Sequence, residues 1–135
     1  MKFRLLSAVA VLAMAGFAFP YHSNTVFAAS ASLTALDPDN DGTVDMPEAK
    51  AAAAKMFTKL DPDKDGTLDA KELSGRVDEA GLKAADPDSD GTLDQKEYDA
   101  IVVTRFKAAD PDNDGTLDDK ELATDAGKSF LLLVE

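Results

Sequence analysis

From residue 37 onward the chain alternates between short acidic runs and short amphipathic runs. Between the acidic runs, apolar positions recur at helical spacing. Met56, Phe57 and Leu60 follow an Ala-rich start, and Ile101, Val102 and Phe106 form a stripe with Arg105 at its edge. The segments 49–60, 73–85 and 98–109 are 12, 13 and 12 residues long. At 1.5 Å per residue, each predicts one short helix of roughly 18 Å. The middle one is weaker, because Gly75 and Gly81 interrupt it. A fourth segment runs from about Leu122, pauses at Gly127, and ends in the apolar run Phe130 to Val134, which reads as a core element. The fold class this predicts is all-α: a compact bundle of four loops joined by short shared helices, with consecutive loops at opposite ends of a shared helix.

Ahead of this region the pattern changes. Lys2 and Arg4 precede a charge-free apolar run from Leu5 to Phe19, and Val26-Phe27-Ala28 places small residues where a signal peptidase reads. Residues 1–28 are therefore expected to be a secretory signal peptide. The run of about 15 residues is short for a membrane span, which needs ~20. Residues 29–36 read as an uncharged linker, and residues 37–135 as the functional domain. Export to the periplasm, with no membrane attachment after cleavage, follows.

The acidic runs are one unit repeated four times, with starts 24, 25 and 24 residues apart. Each fits D-x-[DN]-x-[DN]-G-x5-E, the EF-hand metal loop. Carboxylates fall at position 1 (Asp37, Asp61, Asp86, Asp110), position 3 (Asp39, Asp63, Asp88, Asp112) and position 5 (Asp41, Asp65, Asp90, Asp114). Position 6 is Gly, which permits a sharp turn. Position 7 (Thr43, Thr67, Thr92, Thr116) offers its backbone carbonyl. Position 12 (Glu48, Glu72, Glu97, Glu121) can bind with both oxygens. All donors are hard oxygens, which suit hard cations over zinc or copper. Position 8 (Val44, Leu68, Leu93, Leu117) is the apolar site through which EF-hand loops commonly pair, although which loops pair is open.

Composition narrows the chemistry further. The chain has no Cys, no Trp and a single His, His22, which lies in the expected leader. Thiolate sites, disulfides and a His-based zinc site are excluded. With 26 acids against 14 bases the net charge is −12, or about −14 once Lys2 and Arg4 are removed. Such a chain repels nucleic acid and anionic membranes. Asp78, Glu79, Asp99 and Asp125 lie outside the loops and read as solvated helix residues. No nucleophile–base pairing is visible, so an enzyme is not expected.

Two features bear on the metal. Position 9 is Asp throughout (Asp45, Asp69, Asp94, Asp118), giving five carboxylates per loop. At a fixed distance a 3+ ion is attracted ~50% more strongly than a 2+ ion. Position 2 is Pro throughout (Pro38, Pro62, Pro87, Pro111), which fixes φ and biases the preceding Asp away from helix. With these features the chain resembles the lanmodulin family of exported lanthanide-binding EF-hand proteins, over its leader, its loops beginning Asp-Pro and its short spacers. The resemblance implies selective, tight binding of lanthanide(III) ions over calcium and a gain of order on binding. It also implies a role in lanthanide uptake or handling with periplasmic partner proteins. A monomer is the expected state, and a calcium buffer or sensor is the competing reading. Pro47, just before Glu48, is expected to alter the helix that leaves the first loop and to weaken that site.

Overall fold

The computed structural model describes residues 25–135, with side chains from residue 31. Most of the leader expected over residues 1–28 lies outside the described residues. The described chain runs α1 (Thr25–Leu36), β1 (Val44–Asp45), α2 (Met46–Leu60), β2 (Thr67–Leu68) and α3 (Glu79–Ala85). It continues through β3 (Leu93–Asp94), α4 (Gln95–Ala109), β4 (Thr116–Leu117), α5 (Asp119–Leu122) and α6 (Asp125–Leu131).

Each helix that enters a loop stops for the same reason. Asp61, Asp86 and Asp110 end α2, α3 and α4 with ψ of 81°–83°, outside the helical region. Each precedes a proline, whose ring disfavours helix at the preceding residue. Asp37, Asp61 and Asp110 each still donate one N–H back to the helix, to Leu33, Phe57 and Phe106 carbonyls.

The strands fix which loops pair. Val44 lies opposite Leu117, and Leu68 opposite Leu93, both antiparallel. Loops 1 and 4 therefore form one pair, and loops 2 and 3 the other. All four position-8 residues are fully buried between the loops they join. The helices α2 and α4 each run from one pair to the other, as expected of shared helices, and they pack against each other.

The segment 73–85 departs from the expectation of a shared helix. Residues 70–77 form turns, Gly75 takes φ +79°, and Asp78 caps a new helix, α3, by accepting from Gly81 N–H at 2.7 Å. An L-residue with a side chain resists that φ, so Gly75 is where the helix breaks. The chain consequently doubles back, and loops 2 and 3 share one end of the bundle instead of lying at opposite ends.

Residues 29–36, expected as a connector, belong to α1. This helix enters loop 1 as α2 enters loop 2. Leu33 and Leu36, one turn apart, are buried in the core, and α1 packs on α5. The core also holds Phe57, Tyr98, Val102, Phe106, Leu122, Phe130, Leu133 and Val134. Phe57 meets Tyr98 edge-on at 5.6 Å, and Phe106 meets Phe130 at 5.7 Å. The apolar tail is thus a core element, as its pattern predicts.

Candidate metal centres

Within each loop the backbone is shaped by the carboxylates themselves. The position-1 Asp accepts the position-6 Gly N–H at 2.9–3.1 Å. In loops 1 to 3 its other oxygen accepts the position-5 N–H at 3.1–3.2 Å. The position-5 Asp turns one oxygen to the position-7 Thr, accepting both N–H and O–H at 2.7–2.9 Å. Position 4 adopts a left-handed φ of 58°–60° in all four loops (Asn40, Lys64, Ser89, Asn113), and the position-6 Gly follows at 87°–91°. Two successive left-handed turns close the loop over a small volume, and Gly at position 6 removes most of the strain.

Four clusters of carboxylate oxygens result. Asp37, Asp39 and Glu48 bring ligand atoms within 4.8 Å of one another, as do Asp61, Asp63 and Glu72, then Asp86, Asp88 and Glu97, then Asp110, Asp112 and Glu121. Positions 1, 3 and 12 of every loop therefore converge. Positions 5, 7 and 9 are not in these clusters; the position-5 Asp and position-7 Thr bond one another within the loop.

Position 9 has a second role, which the metal motif masks in the sequence. Asp45, Asp69, Asp94 and Asp118 each accept the N–H of the position-12 Glu at 2.8–3.0 Å. In return the Glu Oε2 accepts the position-9 N–H at 2.8–2.9 Å. This reciprocal capping box closes the start of the exit segment. The signal was present as Asp-x-x-Glu in every loop. It leaves Glu Oε1 as the oxygen free for a cation, and binding through both oxygens requires Oε2 to share its hydrogen bond.

Pro47 fits this arrangement. It occupies the first turn of α2, where a missing N–H costs nothing, and α2 begins as α4 does. Its effect is local: Asp45 lacks the position-11 N–H that Asp69, Asp94 and Asp118 accept from Lys71, Lys96 and Lys120.

The sites carry unmet polar demand. Glu48 Oε1, Asp110 Oδ1 and Glu121 Oε1 are buried without a hydrogen-bond partner. Such atoms are costly unless something compensates them, and a cation does so. All three belong to the loop 1–loop 4 pair. Burial, and then the neighbouring Asp charges, push the Glu48 and Glu121 carboxyls above the ordinary Glu value. Asp37 is subject to a burial effect that raises its pKa. The Gly42 and Asp41 N–H groups and a hydrogen bond with Asp39 outweigh it, and the carboxyl stays below the ordinary Asp value. Asp39, sharing that bond, is pushed up. Asp86 and Asp88 divide in the same way, with the Gly91 N–H the main stabiliser of Asp86. Crowded carboxylates that split their affinity for a proton are poised for a multivalent cation.

Fold and loops together define a metal-binding EF-hand protein. The EF-hand family model matches residues 53–77 and 101–124. Lanmodulin of Methylorubrum extorquens (strain ATCC 14718 / DSM 1338 / JCM 2805 / NCIMB 9133 / AM1) is 56% identical over 80 residues, which is 59% of this chain and 59% of that protein. The chain spans about three fifths of the length of that relative. No described helix is long and apolar enough to cross a membrane.

Proposed function

We propose that the chain binds trivalent lanthanide ions selectively and tightly in its four loops, becomes ordered as it does so, and serves lanthanide uptake or handling in the periplasm after loss of a signal peptide. The observation that carries the reading is the convergence of three carboxylates in each of four loops, with orphaned oxygens on Glu48, Asp110 and Glu121. Positions 1, 3, 5, 7, 9 and 12 supply the ligands. Positions 1, 3 and 12 already converge; positions 5 and 9 hold carboxylates beside them that complete a fivefold negative charge per loop. The similarity to lanmodulin supports a lanthanide as the ion.

Charge supports the same choice. Four 3+ ions bring the mature chain from about −14 to −2, whereas four 2+ ions leave −6. Removing that self-repulsion lets the apolar faces of α2, α4 and α6 settle, so binding free energy becomes folding free energy.

The test is a titration with lanthanum(III) and with calcium(II) at chelator-buffered free concentrations, followed by far-UV circular dichroism. Lanthanum should raise helicity at free concentrations several decades below calcium. Equal response to both at micromolar levels would make this a calcium buffer or sensor.

A further inference from the structure

The segments that leave loops 2 and 4 meet at the C-terminal end of α6. Three side chains from elsewhere donate to its backbone carbonyls. Arg105 of α4 donates from Nη1 to Ser129 O at 2.7 Å, Arg76 donates from Nη1 to Leu132 O, and Tyr98 Oη donates to Leu133 O at 2.8 Å. The same Arg105 Nη1 also reaches Arg76 O at 3.1 Å. Both arginines are half-buried, and neither has a carboxylate within ion-pair distance among the described residues. Both guanidinium groups are bonded to backbone carbonyls, so they tie these segments to one another.

Arg76 and α6 are each the exit segment of a metal loop. Arg76 lies one turn after Glu72, the last ligand position of loop 2, between the buried Leu73 and Val77. On the other side, α6 is seated on the last ligand position of loop 4. Thr124 Oγ1 donates to Glu121 O at 2.6 Å and accepts Gly127 N–H at 3.0 Å, so it ties the start of α6 to Glu121. A Cβ on Gly127 would overlap Glu121 O and the Leu122 backbone, so the two segments touch directly. A cation that pulls Glu72 or Glu121 into place must move the segment behind it, and the arginines join those segments.

We propose that Arg76 and Arg105 are positioning residues that couple site 2 to site 4, two sites in different loop pairs. The position of Glu121, and hence the affinity of loop 4, depends through α6 on whether loop 2 is loaded. Strand pairing alone couples 1 with 4 and 2 with 3. The arginine link crosses between the pairs. This rests on the loops being the metal sites.

The experiment is a mutant cycle read at single sites, on the 15N-labelled protein as the cell produces it. The amide signals of Gly42, Gly66, Gly91 and Gly115, each at position 6, report loops 1 to 4 during buffered lanthanum titration. Glu72→Gln disables site 2. With both arginines present, it should raise the Gly115 midpoint about tenfold. In the Arg76→Gln/Arg105→Gln background the same change should shift Gly115 less than twofold. The charge lost with the arginines is common to both arms and cancels. If the double variant does not order with lanthanum, Arg76→Lys alone serves as the background; it keeps the charge and loses the planar fork. A Gly115 shift of equal size in both backgrounds, or none in the first, overturns the proposal. If Gly115 does not respond to lanthanum in the unaltered protein, the metal-binding reading itself fails.

Discussion

At the scale of single residues, the position-12 glutamates do two things at once. Each holds the capping box through Oε2, while Oε1 of Glu48 and Glu121 is buried and unpartnered. Because their folded pKa is raised, these two carboxyls are partly protonated at a pH where an exposed Glu is ionised. A protonated carboxyl binds no cation, so metal must displace the proton. The sign follows: affinity falls as pH falls, and more protons are released on binding in mildly acidic solution than at neutral pH. Calorimetry in mildly acidic and in neutral solution, each in two buffers of different ionisation enthalpy, should show this release, reduced in Glu48→Gln/Glu121→Gln. Release of equal size at both pH values would contradict it. Position 9 invites a second substitution. Ser is a good N-cap but carries no charge. Replacing Asp45, Asp69, Asp94 and Asp118 by Ser should leave helicity of the loaded protein within about a tenth, yet narrow the lanthanum–calcium gap by at least tenfold. An unchanged gap would make position 9 a cap alone. The ligand pattern was readable in the sequence because loop geometry repeats every residue type. The dual use of Asp and Glu was harder to see, because Asp-x-x-Glu satisfies the metal motif before it is considered as a cap.

At the scale of elements, the sequence was informative wherever apolar periodicity ran unbroken. The segments after loops 1 and 3 are long helices, and both join opposite ends of the bundle, as their stripes predict. The segment after loop 2 failed as a helix at Gly75, and the topology follows from that one residue. Periodicity gave no hint of α1, whose residues carry no charge and little amphipathic contrast; its helix is held by Leu33 and Leu36 on the core. Gly127 shows packing overriding propensity. Ala is favoured over Gly in a helix by about 1 kcal/mol. Here, however, a methyl group would meet the Glu121–Leu122 backbone, which cannot yield as a side chain can. Gly127→Ala is therefore expected to destabilise the loaded protein by several kcal/mol, of the size of other overpacked or strained sites. Thermal unfolding in excess lanthanum checks this, and a raised midpoint would refute it. Tyr98→Phe probes the same region more gently. It strands the Leu133 carbonyl and should cost about 1–3 kcal/mol.

At the scale of the whole molecule, the net charge of −12 makes a prediction separable from any one ligand. Repulsion among four acidic loops opposes a core assembled from short helices. On the proposed reading metal relieves it site by site, and screening should relieve part of it without metal. Salt at about 1 M shortens the Debye length to ~3 Å, below the spacing between loops at opposite ends of an ~18 Å helix. Helicity of the metal-free chain should then rise with sodium chloride, approaching but not reaching the lanthanum-loaded value. The shortfall is expected because screening leaves Glu48 Oε1, Asp110 Oδ1 and Glu121 Oε1 unpartnered in the folded state. In the loaded protein, where the charge is largely neutralised, the same salt should change helicity little. A metal-free chain that ignores salt would mean that local loop closure, and not global repulsion, is what the metal supplies. The four loops would then order independently of one another, and the paired strands and the arginine link between exit segments would carry no energy between sites. Circular dichroism against salt concentration, with and without lanthanum, separates these two accounts before any residue is changed.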